Sequence, residues 1–178
     1  MVFDDGNSDF GVTDLTDSFN GRFASLSDAA NTGALANLYA ADGASLALAD
    51  VTLTAPLASP GKIICVGVNF PDRNAEYKDG QSAPANPSLF IRFPGSFVGH
   101  EDDLRRPPES EQLDYEGEIA IVIGTGGRRI PAANAWDHIA AVTLCNEGTI
   151  RDWVRHAKFN VTQGKNFEKS AAMGPGLL

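Results

Sequence analysis

Two glutamates, separated by one residue at the start of an apolar stretch, are the best candidates for chemistry in this sequence. Glu116 and Glu118 lie in residues 113–124 and are followed by Ile-Ala-Ile-Val-Ile. Because side chains alternate between the two faces of a strand, both carboxylates share a face with Asp114, whereas Ile119 and Ile121 point the other way. The spacing therefore predicts a carboxylate pair on one side of a strand.

Two interpretations fit this pair. Ionised carboxylates held this close raise each other's pKa unless a cation lies between them, and a hard divalent ion bound by oxygens is the usual solution. Alternatively, the pair marks a solvated strand end, since Asp and Glu are mostly exposed and acidic pairs are common in acidic proteins. The segment by itself favours the solvated strand end.

The elements that would position these acids can be predicted from hydrophobic patterning. Apolar, β-branched runs predict buried strands at 62–68 and 141–145, the second delivering a third acid, Glu147, at its end. A short strand at 88–93 interrupts a long loop, and proline in the first turn predicts a helix over 131–139. Residues 1–57 form a small N-terminal region, with a helix over 28–39 and strands near 45–53, and residues 58–178 form the β-rich main domain.

Composition excludes several classes of partner. The chain has 178 residues, a formal net charge of −9 and 43% hydrophobic residues. It is long enough to bury a core, and its acidity argues against nucleic-acid or anionic-membrane partners. The absence of a secretion signal or an apolar run of membrane-spanning length predicts a cytoplasmic protein. Cys65 and Cys145 have no metal-type spacing and are predicted to be reduced, buried thiols.

Six ordered segments together resemble the fumarylacetoacetate hydrolase superfamily over most of residues 60–178. The resemblance implies an α+β, mainly β fold with a β-roll or β-sandwich core. It also implies a bound Mg²⁺, or Mn²⁺ or Ca²⁺ in its place, and chemistry on 2-oxo or 2,4-dioxo carboxylic acids. The segments are KIICVGVNF with AEY, PSLFIRFP, LDYEGEIAIVIG, TLCNEGTIRDW, QGKNFEKS and MGPGLL.

The resemblance assigns roles residue by residue. Glu116 and Glu118 match the family's paired metal carboxylates, and Glu147 takes the place of its third acidic ligand, which is usually Asp. The longer Glu side chain can still bind a hard ion, with altered reach. Lys165 matches the active-site lysine of the family's Gly-Lys motif, where it stabilises the enolate. Arg92 stands where many relatives carry Lys, and it is predicted to bind an anionic substrate or to pair with a surface acid.

One loop departs from the family pattern. Relatives commonly carry a His and a Glu there that activate water, and this chain retains Glu76 but has Arg73 at the histidine position. Arginine is not a base near neutral pH. In one interpretation Glu76 is the base and Arg73 binds a substrate carboxylate. In the other, water activation is lost.

The resemblance thus predicts a divalent-metal-dependent hydrolase that cleaves a C–C bond of an acylpyruvate-like 2,4-dioxo acid. A metal-dependent decarboxylase or isomerase of 2-oxo dicarboxylic acids is the alternative, and a metal- and oxo-acid-binding protein without turnover is another. Relatives imply a homodimer. Because the family core continues beyond the last segment, the fold is expected to be truncated at Leu178 or completed by another chain.

Overall fold

The protein is a mostly β molecule with short helices, which confirms the predicted α+β class. The computed structural model describes residues 2–3, 11–14, 26–34, 44–57, 59–69, 86–157 and 160–178. The loop that carries Arg73 and Glu76 lies outside these residues. Among the described residues, no helix combines the length and the apolar character needed to cross a membrane. The predicted domain boundary at residue 57 stays a prediction.

The described strands form four small sheets, ordered β1-β2-β3, β4-β5, β10-β7 and β6-β11-β9-β8. Antiparallel pairing predominates, and β6 and β11 form a parallel pair. The strands are β1 (Val2–Phe3), β2 (Gly11–Asp14), β3 (Ala44–Ala47), β4 (Ile63–Gly67), β5 (Ser88–Arg92), β6 (Phe97–Val98), β7 (Leu113–Asp114), β8 (Gly117–Ile123), β9 (Ile139–Asn146), β10 (Thr149–Ile150) and β11 (Ala171–Met173).

The long antiparallel pair β8–β9 brings the predicted acidic segments together. Its register places Gly117 opposite Asn146 and Glu118 opposite Cys145. Pairing then stops for two residues on each side and resumes where β7 meets β10, with Asp114 opposite Thr149. Glu116 and Glu147 both lie in this interruption, so two of the three glutamates lie between the β8–β9 and β7–β10 strand pairs.

Strand β8 has the alternation expected from its sequence, with the acid-bearing face turned inward. Val122 is buried and Glu118 is half-buried, whereas Ile119, Ile121 and Ile123 are exposed. The solvated strand end that the isolated segment favoured is therefore wrong: the isoleucines are exposed, and the acids face the interior.

The other predicted buried strands are only partly buried among the described residues. In β4, Ile64 and Val66 are exposed by 58% and 44%, and in β9, Leu144 is exposed by 67%. Apolar character alone did not reveal this, because it cannot show which face of a strand another layer covers. Small and polar residues make up much of the core beside the acids, including Ala141, Ala171, Thr149, Ser96 and Ser170.

The helices are short: α1 (Leu26–Asn31), α2 (Arg151–Arg155) and α3 (Val161–Gly164). The predicted helix over 131–139 is instead a 3₁₀-helix, Ala132–His138. The predicted helix over 28–39 ends earlier, in a turn at Gly33 with φ of +71°, and residues 35–39 lie outside the described part. The strand predicted near 45–53 gives way to a 3₁₀-turn at Leu48–Asp50.

Candidate metal centre

Three carboxylates meet at the interruption between the two strand pairs. Glu116, Glu118 and Glu147 each present an oxygen, and these oxygens lie within 4.8 Å of one another. Backbone contacts fix the arrangement, since Glu147 N donates to Glu116 O at 2.7 Å and Glu116 N donates to Asn146 Oδ1 at 3.1 Å. The sequence-predicted acids therefore form one cluster, and these contacts join Glu116 and Glu147 beyond the end of the β8–β9 ladder.

Glu116 is surrounded by hydrogen-bond donors. Thr149 Oγ1 and Arg151 Nη1 each lie 2.8 Å from its Oε1, and Lys165 Nζ lies 2.7 Å from its Oε2. Burial raises the pKa of this carboxyl, but the bond to Lys165, its charge and the bond to Thr149 outweigh burial and leave the pKa below its usual value. Glu116 is thus kept ionised, and Arg151 also pairs with Asp114 at 2.8 Å.

Glu118 has the opposite electrostatic character. Burial raises its pKa, and the negative charges of Glu147 and Glu116 raise it further. Like-charged carboxyls that face one another favour protonation unless a cation neutralises them. The site therefore has a deficit of positive charge at Glu118.

Glu147 supplies the test of whether a cation fits. Its side chain is 8% exposed, and its Oε1 is buried with no N–H or O–H donor from the described part of the chain. The nearest positive groups are Arg92 Nη1, 3.8 Å from Oε1, and Lys165 Nζ, 3.4 Å from Oε2. A buried carboxylate oxygen with free lone pairs is costly unless something binds it, and oxygen ligands are those that hard divalent ions prefer. The donor set therefore fits a divalent ion.

Lys165 reaches the cluster from the end of α3. Its side chain is 5% exposed, and its Nζ donates to Glu116 Oε2 and, at 3.3 Å, to the backbone oxygen of Glu147. The adjacent Gly164 is required for packing: a Cβ there would lie 2.3 Å from Val154 Cγ2 of α2. Gly164 thus lets α3 approach α2, which directs the adjacent Lys165 toward the acids.

Arg92 lies beneath the cluster and is only 2% exposed. It donates from Nε to Ser96 Oγ at 3.2 Å, from Nη1 to the backbone oxygen of Gly148 at 3.1 Å and from Nη2 to Ser170 Oγ at 3.3 Å. Burial lowers its pKa, and the charge of Glu147 opposes that shift. These contacts argue against the predicted binding of substrate by Arg92, and the acid beside it is the buried Glu147 rather than the surface acid of the alternative prediction.

A cleft of about 950 Å³ borders the cluster, and Glu118 and Glu147 are among its lining residues. Both cysteines line it as well and are free, half-buried thiols. Burial, together with the charge of Glu147, raises the pKa of Cys145 to about 12. The sequence did not predict that the two cysteines line this cleft or that Thr149 bonds to Glu116, because these contacts depend on the register between strands that are distant in sequence.

The C-terminal part of the chain matches a known family. Residues 62–178 match the sequence model described as the fumarylacetoacetate (FAA) hydrolase C-terminal domain. The chain belongs to the fumarylacetoacetate hydrolase family. Over 134 residues it is 40% identical to oxaloacetate tautomerase YisK of Bacillus subtilis, covering 74% of this chain and 44% of that protein.

Two solved structures show the same fold. The fumarylacetoacetate hydrolase of Exiguobacterium antarcticum is 30% identical, with a TM-score of 0.73 and coverage of 99% of this chain and 64% of that one. The 5-carboxymethyl-2-hydroxymuconate delta-isomerase of Mycobacterium smegmatis is 32% identical, with a TM-score of 0.65 and coverage of 76% and 53%. The predicted fold is confirmed. The chain spans about two fifths of the length of the curated relatives it matches.

Arg73 and Glu76 lie outside the described residues, so their roles stay predictions. The described contacts of the three histidines are to other groups: His100 approaches Glu101, His138 contacts the backbone oxygen of Thr125, and His156 lies beside Asn160.

Proposed function

We propose that this chain provides the metal site of an enzyme that isomerises a 2-oxo dicarboxylic acid through its enol, as a keto–enol tautomerase does. The observation that carries the proposal is the cluster of Glu116, Glu118 and Glu147, in which a buried oxygen of Glu147 accepts from no N–H or O–H group of the described residues. The naming of a 40% identical relative as an oxaloacetate tautomerase supports this substrate class.

The three carboxylates would hold the ion. Carboxylate-rich sites suit Mg²⁺ and Mn²⁺, and Ca²⁺ would need additional oxygen ligands. When bound, the ion would polarise the 2-oxo group and so lower the pKa of the neighbouring C–H. Since the carboxyl of Glu118 has a raised pKa, a bound cation would also relieve the repulsion among the acids.

Among the described residues, Lys165 is a candidate to act on a substrate bound beside the acids. Its ammonium lies 2.7 Å from Glu116 and is almost fully buried, so it is held in one orientation. We assign it the role of donating a hydrogen bond to the oxygen that becomes negative in the enolate. Tautomerisation moves one proton from C3 to the C2 oxygen, or back, and consumes no water.

C–C bond hydrolysis is the second candidate. The similarity to the Exiguobacterium antarcticum fumarylacetoacetate hydrolase over 99% of this chain favours it. Hydrolysis requires an activated water, and Glu76 would be the base in the absence of the family histidine. The presence of Arg73 at the histidine position favours isomerisation, which needs a base for the C3 proton but no base that activates water.

The two reactions are separated by their products. Purified protein with Mg²⁺ or Mn²⁺ should accelerate the interconversion of the enol and keto forms of oxaloacetate, followed by ultraviolet absorbance, and leave its four-carbon skeleton intact in NMR spectra. Glu118→Gln should abolish this acceleration, whereas Glu109→Gln, at an exposed position outside the cluster, should retain it.

Each alternative predicts a different result. Release of a 2-oxo acid and a carboxylic acid from an acylpyruvate, without tautomerase activity, would favour the hydrolase. Binding of oxalate in the presence of Mg²⁺ without turnover of either substrate would favour a binding protein. Full tautomerase activity in Glu118→Gln would contradict the proposed site.

A further inference from the structure

A buried arginine lies directly under the third metal carboxylate. We propose that Arg92 is a positioning residue, which holds Glu147 and the following turn in the geometry that binds the ion, and that it does not contact substrate. This inference rests on the metal site of the proposed function. It assigns Arg92 a role different from the substrate binding that its sequence position predicted.

The first argument is geometric. Glu147 follows the end of β9, so no strand pairing fixes its side chain as pairing fixes Glu118. Arg92 compensates by donating to the backbone oxygen of Gly148 at 3.1 Å, and it is anchored by Ser96 and Ser170. These contacts link the end of β5, the turn after it, the Glu147–Thr149 turn and the segment before β11. A planar guanidinium can make such divergent bonds, whereas the single ammonium of lysine cannot reproduce them.

The second argument is electrostatic. The side chain of Arg92 is fully buried, and a buried cation requires a fixed anion nearby. Among the described residues, Glu147 supplies the one carboxylate within 4.0 Å, at 3.8 Å from Nη1. The Phe97 ring covers one face of the Arg92 guanidinium, with its centroid 4.9 Å from the guanidinium carbon. Arg92 and Glu147 therefore hold each other in place.

The third argument concerns what Arg92 does not do. At 3.8 Å its Nη1 is too far to form a hydrogen bond with Glu147 Oε1, and no other N–H or O–H group of the described residues donates to that oxygen. Arg92 thus orients the carboxylate through charge and through the adjacent backbone, without using the lone pairs that a metal ion needs. Lys165 differs, because it bonds directly to Glu116.

The experiment measures Mn²⁺ affinity by titration calorimetry on purified, folded protein. Arg92→Met should weaken binding about 10- to 100-fold, the usual effect of removing a group that orients a metal ligand. The Mn²⁺ affinity of Arg92→Lys should lie between those of Arg92→Met and wild type, because lysine keeps the positive charge but lacks the planar guanidinium. Arg105→Met is the matched control, because Arg105 is 60% exposed and pairs with Glu168, outside the cluster. The Mn²⁺ affinity of this variant should equal that of wild type.

A second readout separates positioning from substrate contact. At saturating Mn²⁺, the KM of Arg92→Lys for oxaloacetate should remain that of wild type. A raised KM with unchanged Mn²⁺ affinity would show direct substrate contact and overturn the proposal. A lowered Tm with unchanged Mn²⁺ affinity would show a purely structural brace and would also overturn it.

Two further results complete the test. If Arg92→Met does not fold, Ser170→Ala removes one anchor of the guanidinium, and unchanged affinity in both Ser170→Ala and Arg92→Lys would overturn the proposal. Failure of the wild-type protein to bind Mn²⁺ would refute the metal site, and with it this inference. Binding by wild type and Arg92→Met with equal affinity would refute the inference alone.

Discussion

Substitution of Gly148 by alanine tests whether the turn after Glu147 needs close packing. An added Cβ would lie 1.9 Å from the backbone oxygen of Ser170, whereas real Cβ contacts essentially never fall below 3.0 Å. The turn and the Ser170 segment must therefore separate by roughly 1 Å or more, because both partners are backbone in a close-packed interior. That displacement would break the bond from Arg92 to the Gly148 oxygen.

The expected cost has two parts. Overpacking of a core typically costs about 1–3 kcal/mol. Loss of a hydrogen bond to a charged, buried donor adds about 1.5–3 kcal/mol. A combined loss of about 2.5–6 kcal/mol lowers the Tm of a protein of this size by roughly 5–24 °C.

Thermal unfolding followed by circular dichroism measures this change, and Mn²⁺ titration measures the accompanying loss of affinity. Gly126→Ala is the control, since a Cβ there meets nothing within 4 Å among the described residues. A Tm for Gly148→Ala within about 2 °C of the control would refute the reasoning, because overpacking alone should exceed it.

Three further predictions follow from the same contacts. Lys165→Met should lower kcat by about 100- to 1,000-fold, because it removes the donor to the developing enolate. Its Mn²⁺ affinity should not fall, because the substitution removes a cation that competes with the metal ion for Glu116. A large fall in affinity measured by calorimetry would argue against the assignment of Lys165 to the enolate. Thr149→Val should cost about 1–3 kcal/mol in urea unfolding, because the buried threonine donates to Glu116 at 2.8 Å, and an unchanged midpoint would show that water replaces this bond. Mn²⁺ at about 100 times its Kd should stabilise the protein by about 2.7 kcal/mol, and EDTA should reverse this; no change in Tm on adding EDTA would contradict specific binding.

The cluster was predictable from the sequence to the extent that its signals were local or belonged to the family pattern. Side-chain alternation predicted that Glu116, just before β8, and Glu118, within it, share one face, and their carboxylates lie close together. The recognised segments then added Glu147 and Lys165, which the structure brings to the same point. The glutamate pair alone favoured a solvated strand end, so the family pattern changed the interpretation.

Other features depend on long-range packing and were not accessible to pattern reasoning. Whether Ile64 lies in a buried or an exposed row depends on which layer covers β4, and a hydrophobic run does not specify that layer. Arg92 was interpreted as a ligand-binding residue because an arginine near an acidic site could bind either a substrate or an acid. Its burial follows from contacts with Gly148 and Ser170, which are 56 and 78 positions away.

Crystals soaked in Mn²⁺ would test the central claim most directly, by locating the ion from its anomalous scattering. We predict one peak within coordination distance, about 2.0–2.6 Å, of oxygens from Glu116, Glu118 and Glu147. The peak should be lost in Glu118→Gln crystals. A peak bound elsewhere, or none at the three carboxylates at saturating Mn²⁺, would contradict the account.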